Sequence, residues 1–296
     1  MIASQLVATV TFFTAFSGVL INTYVVYFIG RVSTLRNSFG QLTAAQATAE
    51  AFLLSVFAFY FSPLVFLETE FLKGLANYFS IFLLICYDVC NYCHLLISIN
   101  RLTAVALPLH YERIFSKTNT TRLIIITWII SVATCIFLYG IVNCHLYYDN
   151  EYWRLNFINN TVCNTIVWYG DFVKDFATVI IIILVDTITV CHVAALRIRN
   201  SKNKQSKRVN ESNLLKQACT QAFAFAIELV SYFILVNYFE NRFVKYALTG
   251  YAWITLHSID GLITIYFNKE FRNFKKLRAH YSEKHTSSVV NLTNHP

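Results

Sequence analysis

Seven predominantly apolar stretches follow one another along the chain, at 3–29, 41–67, 75–104, 121–142, 170–196, 213–238 and 245–267, with short charged segments between them. Each is about as long as a helical bilayer crossing, which takes ~20 residues. In hydrocarbon every peptide N–H and C=O needs an internal partner, and the stretches exceed a barrel strand of ~10 residues, so the pattern predicts helices. The expected fold is all-α: a seven-transmembrane bundle over residues 1–281, followed by a disordered tail at 282–296. After the last stretch, Phe267, Phe271, Phe274 and Leu277 recur at helical spacing with Lys269, Arg272, Lys275, Lys276 and Arg278 among them. That spacing predicts an amphipathic eighth helix at 268–281, lying in the membrane interface. The first stretch lacks a basic leader and a small-residue cleavage site, and is expected to remain as a signal anchor.

Composition supports this reading. Apolar residues make up 56% of the chain and charged residues 14%, and the mean hydropathy is +0.49, which excludes an ordinary soluble or disordered protein. Three prolines and eight glycines, without a low-complexity run, leave no boundary for a second domain. The formal charge of +8 is a topology signal, because 19 of the 24 lysines and arginines fall in one set of alternate connections. By the positive-inside rule that set is cytosolic, which puts the amino terminus outside and the carboxyl terminus inside. These cations border membrane spans and do not form one soluble face, so no nucleic-acid partner is expected.

The same sidedness sorts the smaller signals. Of the sequons at Asn119, Asn159, Asn210 and Asn291, only Asn159 faces outward and is expected to carry a glycan. Cys144 and Cys163 share its loop and are the two cysteines placed in an oxidising compartment, so they are expected to pair. Cys86, Cys90 and Cys93, with His94, form a helical stripe that is read as packing in preference to a metal site. Glu50, Asp88, Asp186, Glu228 and Asp260 lie within predicted spans, and no lysine or arginine lies near the bilayer centre to pair with them. A bilayer-centre acid costs ~2.5 kcal/mol or more, so each should face the bundle interior, be protonated, or hold water or a cation. Asp88, Asp186 and Glu228 are candidates for ligand contact or structural hydrogen bonding. No nucleophile elbow, phosphate-binding glycine loop or zinc-helix motif occurs, so an enzyme is not expected.

Four local patterns, in order, resemble the rhodopsin-like G-protein-coupled receptors. Asn100-Arg101-Leu102, followed by Pro108-Leu109, is similar to the Asp-Arg-Tyr box and its Pro-Leu loop. Asn22 and Glu50 match the polar positions of the first two spans, and Trp128 that of the fourth. Asp260-Gly261-Leu262-Ile263-Thr264 is similar to Asn-Pro-x-x-Tyr. Asn100, Leu102, Gly261 and Thr264 depart from that pattern. The segments Asn37–Thr43, Ile99–Arg101 and His257–Gly261, with Phe267-Asn268-Lys269-Glu270, closely resemble the nematode serpentine chemoreceptors of class x.

That resemblance implies a plasma-membrane receptor, in the chemosensory setting of a sensory-neuron cilium, that binds a small external molecule and activates a heterotrimeric G protein. Asn100, Arg101, Leu102 and Pro108 would form the G-protein switch, and the missing acid beside Arg101 implies a weaker restraint and higher basal activity. Asn22, Glu50, Asp260 and Gly261 would form the polar core, where Glu50 and Asp260 would hold Na⁺ or share a proton. No cofactor is required beyond that ion. The outer-loop cysteine pair agrees with the resemblance. The ligand would enter among the third, fifth, sixth and seventh helices, with Tyr87, Tyr251, Asp88 and Glu228 as candidate contacts. The acid of amine receptors would fall at Leu83 and the retinal lysine at Ile254, so neither chemistry is expected. One alternative is a peptide receptor, its basic ligand attracted by Glu68, Glu70, Asp149, Glu151, Asp171, Asp175 and Glu240. Another is a cation- or proton-coupled transporter, motivated by the intramembrane acids.

Overall fold

The computed structural model describes residues 2–32, 35–142, 144–199 and 205–268. Among the described residues seven long helices account for most of the chain. They are α1 (Ile2–Arg31), α2 (Ser38–Leu67), α3 (Ala76–Ala106), α4 (Lys117–Ile141), α5 (Thr161–Leu196, with helical backbone continuing to Arg199), α6 (Gln205–Phe233) and α7 (242–267). The first five are long and apolar enough to cross a membrane, while the apolar part of α6 is the shorter Cys219–Phe233.

Local chemistry sets the helix ends. Asn37, Ser116, Asn160 and Asn241 each accept a backbone N–H of the following first turn, and so cap α2, α4, α5 and α7. Inside α2 a π turn at Phe57–Phe61 directly precedes Pro63. Pro63 lacks an N–H and its ring would press on the Phe59 carbonyl, so the wider turn relieves the clash without ending the helix. The helix stops where Glu68 turns left-handed, at φ 50°.

The helices close into a ring in which α1 packs on α2 and α7, α6 on α5 and α7, and α3 on α2, α4 and α5. Helix α3 is the hub: 72% of its apolar window is buried, against 22% for α4. Large side chains such as Leu6, Phe13, Ile129 and Leu184 point outward from the ring. The main core cluster runs from α1–α3 through Trp253 and Ile254 of α7 to Leu146 and Trp153 beyond the helix ends.

Three expectations need correction. The fold is not purely helical, because Leu146–Asp149 (β1) pairs antiparallel with Arg154–Phe157 (β2). Asp149 accepts the Glu151 and Tyr152 N–H groups and closes the hairpin turn. The fifth stretch was expected to begin at 170, but the Asn160 cap starts α5 nine residues earlier, so Asp171, Lys174 and Asp175 lie well inside the helix and not in its first turns. The sixth helix does not run to 238: it ends at Phe233 and a 3₁₀ turn, Leu235–Tyr238, follows. Apart from Asn268, the expected eighth helix at 268–281 and the tail at 282–296 lie outside the described residues.

Candidate functional site

At the hairpin end of the bundle the strands form a cover. The Cys144–Cys163 disulfide, with Cα atoms 4.9 Å apart, ties the start of β1 to the first turn of α5. Leu146, Tyr148, Trp153 and Leu155 turn their side chains into the protein. Trp153 adopts φ 48°, a left-handed backbone that aims its indole inward. The Arg242 guanidinium lies 3.5 Å from the centre of that ring, and Lys245 Nζ lies 4.1 Å over Tyr152, so the start of α7 clamps the hairpin tip. Burial raises the pKa of the Tyr148 phenol above its ordinary value.

Beneath the cover lies a narrow cleft with about 20 Å³ of free space. Tyr87 of α3, Asp171 of α5, Glu228 and Tyr232 of α6 and Trp253 of α7 line it, and Leu146 and Phe157 roof it. Trp253 stands at the corner, its ring edge-to-face with Tyr87 at 5.4 Å and with Tyr232 at 6.1 Å.

Midway down the bundle a polar cluster joins α2, α3 and α7. Gln46 Nε2 donates to Glu50 Oε1 at 3.0 Å and to Asp260 Oδ2, and lies 3.0 Å from His94 Nε2. Glu50, His94 and Asp260 form one set of donors within 4.8 Å of one another, and Glu50, Cys90 and His257 a second. Asn22 donates to the carbonyls of Gly18 and His257, both at 3.1 Å. A Cβ on Gly261 would meet Asn22 Oδ1 at 2.6 Å, so the bare backbone of Gly261 is what allows α7 to approach α1 there.

At the opposite end from the hairpin, Arg101 of α3 reaches Asp186 of α5 at 3.1 Å, and Ser98 Oγ donates to the same carboxylate oxygen at 2.8 Å. Asn100 turns away and donates to the Tyr111 hydroxyl at 3.2 Å. Gln217 and Gln221 of α6 donate to Thr264 Oγ1 of α7 at 3.1 and 3.4 Å, closing that side of the ring. Leu102 is half-buried, and Pro108 is exposed in the turn after α3.

Residues 12–268 match the model of the family described as serpentine type 7TM GPCR chemoreceptor Srx. The chain belongs to this family. It is 32% identical over 290 residues to "Serpentine receptor class X 45" of Caenorhabditis elegans, covering 91% of this chain and 80% of that one. It is 24% identical over 274 residues to "Serpentine receptor class X-43" of the same organism, covering 89% and 85%. This Srx chain is thus a chemoreceptor of the G-protein-coupled type and a multi-pass membrane protein, and its outward-facing leucines, isoleucines and phenylalanines suit a lipid surface.

Within this Srx bundle the sequence-derived candidates separate into groups. Tyr87 and Glu228 line the cleft, and Glu50 and Asp260 meet through Gln46, as do Asn22 and Gly261 through a tight helix crossing. Tyr251 does not reach the cleft and packs on Tyr246 at 6.1 Å. Asp88 does not either: it pairs with Lys174 at 2.5 Å and accepts from Cys135. The expectation that the intramembrane acids lack cationic partners is therefore wrong for Asp88 and for Asp186. Lys174 lies inside the fifth helix and turns inward to Asp88, and Arg101 reaches across the bundle to another helix. Asp186 gives Arg101 an ion-pair partner that Asn100 does not. Asp171 and Asp175, expected on an acidic outer surface, are 6% and 1% exposed. Of the cysteine stripe, Cys90 lies near Glu50, while Cys93 packs with Ala49 and Val89. Sequence reasoning missed Asp171, Tyr232 and Trp253 as cleft residues. The Asn160 cap, read as a helix start, was the signal that would have moved Asp171 from the outer end of the fifth span to its interior.

Proposed function

We propose that this Srx receptor binds a small external molecule in the cleft beneath the hairpin and relays its occupancy to a cytosolic G protein at the Arg101 end. The observation that carries this is the placement of two features on opposite ends of one bundle, joined by α3. A covered cleft touches Tyr87, and a buried clasp holds Arg101 to Asp186. Seven spans, with the hairpin outside and Arg101 facing the cytosol, agree with the excess of lysine and arginine on the Arg101 side. A ligand that draws Trp253 and Glu228 toward Tyr87 would shift α6 and α7 against α3. Parting of the Gln217–Thr264 and Arg101–Asp186 contacts would then open a cytosolic groove to the G protein.

The hairpin roof and the burial of Asp171 and Asp175 favour a small ligand over a peptide. Glu50 and Asp260 would hold a Na⁺ ion, whose charge would offset two carboxylates that no described lysine or arginine neutralises. Asn100, Leu102 and Pro108 would border the G-protein groove. The plasma membrane, and the cilium of a sensory neuron, is the setting that suits such a receptor. Nucleotide exchange on a purified G protein, measured with the receptor in lipid nanodiscs, tests the reading. Odorant-dependent acceleration is expected, and its absence across a broad panel with several Gα classes would reject it.

A further inference from the structure

The cleft carries more information than its size. Glu228 is 6% exposed, lines the cavity, and its Oε2 has no hydrogen-bond partner. Trp253 Nε1, on the same wall, is likewise buried and unpartnered. A buried polar atom left in that state is costly unless something else satisfies it. Charge around the cleft is unbalanced in one direction. Asp88, Asp171, Asp175 and Glu228 are all buried, and Lys174 is the ammonium seated among them. That ammonium is already engaged, 2.5 Å from Asp88 and 3.4 Å from Asp175. The two acids that line the cleft, Asp171 and Glu228, face it together with the π faces and edges of Tyr87, Tyr232 and Trp253.

We infer that the ligand of this cleft is a small organic cation, a primary or tertiary amine carrying its proton. Its ammonium sits between Glu228 and Asp171 against the aromatic wall, and its hydrocarbon part lies on Leu84 and Leu229. Carboxylate and aromatic rings together recognise a desolvated ammonium better than either alone. A hydrogen-bond acceptor on the ligand would satisfy Trp253 Nε1. The acid expected of an amine receptor on the third helix is absent, since Leu83 occupies that position, and here the charge comes from α5 and α6 instead. The free space in the cleft is about 20 Å³, roughly that of one water, so the amine is small and its entry widens the cleft. The inference rests on the cleft being the agonist site.

The test uses the full receptor in nanodiscs and matched probes, with melting temperature as the readout. Benzylamine and isoamylamine, with a wider panel of alkyl and aryl amines, are compared with benzyl alcohol, isoamyl alcohol and the corresponding neutral isosteres. Amines are expected to raise the melting temperature while the alcohols do not. Glu228→Gln is expected to weaken amine binding by about tenfold or more, and Asp171→Asn to weaken it as well. Equal shifts from amines and alcohols, or amine binding unchanged by Glu228→Gln, would overturn the inference. So would the absence of a shift from every amine. If Glu228→Gln does not fold, the comparison of each amine with its alcohol on the native receptor decides. Nucleotide exchange driven by a neutral agonist would refute the amine while leaving the receptor reading intact.

Discussion

Arg101 and Asp186 lie 85 residues apart in the chain and meet at 3.1 Å, their side chains 10% and 2% exposed. The pair ties the last turns of α3 to α5 at the end of the bundle away from the ligand cleft. Removing one partner of a buried pair leaves the other charge uncompensated, at a cost of ~3–5 kcal/mol to the state that holds it. Asp186→Asn should therefore favour the state in which Arg101 is released, and raise nucleotide exchange without ligand several-fold. Asn100→Asp should change basal exchange less, because Asn100 faces Tyr111. Basal exchange unaltered by Asp186→Asn would remove the clasp from the mechanism.

Gly261 and Gly30 make opposite forecasts for the same substitution. Gly261→Ala would place a methyl 2.6 Å from Asn22 Oδ1 and 2.8 Å from Ile21 Cγ2, forcing α7 off α1 at ~1–3 kcal/mol. Gly30→Ala meets nothing within 4 Å and should be neutral or slightly stabilising. Melting temperatures of the two variants in nanodiscs check the contrast, and similar losses in both would contradict it.

The hairpin cover depends on the Cys144–Cys163 bond, which closes a loop of separation 19. In the chain-entropy account a loop of that size contributes about 3 kcal/mol. Replacing both cysteines by serine should lower the melting temperature and speed amide exchange across Leu146–Phe157, with the amides at the centre of α3 unchanged. Unaltered exchange in the hairpin would show that Arg242 and Trp153 hold it without help.

Sidedness can be read from glycan attachment. Asn159 is exposed just before α5, and enzymatic deglycosylation should shift the mobility of the native receptor but not of Asn159→Gln. A shift that instead disappears with Asn119→Gln would invert the orientation proposed for the bundle.

Sodium at Glu50 and Asp260 predicts an ion-specific stabilisation, since a ligand that binds only the folded state raises its stability with the logarithm of its concentration above the dissociation constant. The native receptor should melt at a higher temperature in NaCl than in KCl at equal ionic strength. Glu50→Gln should erase the difference. Identical melting in both salts would remove sodium from the two carboxylates.

Legibility differed by the kind of physics involved. Asn22, Glu50 and Asp260 could be singled out because polar residues in otherwise apolar helices stand out one at a time, and a residue that faces a bundle interior must find company there. The Cys144–Cys163 pair could be assigned because sidedness left two cysteines outside. Asp88 and Asp186 were equally visible as acids, yet their partners were not. Lys174 looked like a cation at the outer end of the fifth stretch until the Asn160 cap moved the helix start, and Arg101 looked like a neighbour of Asn100 alone. Trp153 and the hairpin gave no periodic signal, since four-residue strands closed by an Asp149 turn are too short to alternate convincingly.

The amino-acid sequence alone determined the helical character of the chain, the number of apolar stretches and their approximate ends, the outer-loop cysteine pair and the resemblance to class x receptors. These follow from local rules: backbone hydrogen bonds that must close within one helix, apolar runs of bilayer length, and side chains that cap their own first turn. The tertiary structure decided which acids share a cation, which aromatic rings meet at Trp253, and that a hairpin roofs the cleft. Those outcomes depend on the rotation and axial offset of each helix against its neighbours. A shift of one residue turns a side chain by about a quarter of a turn, from the bundle interior toward lipid, and no pattern along a single helix records how its neighbour is turned.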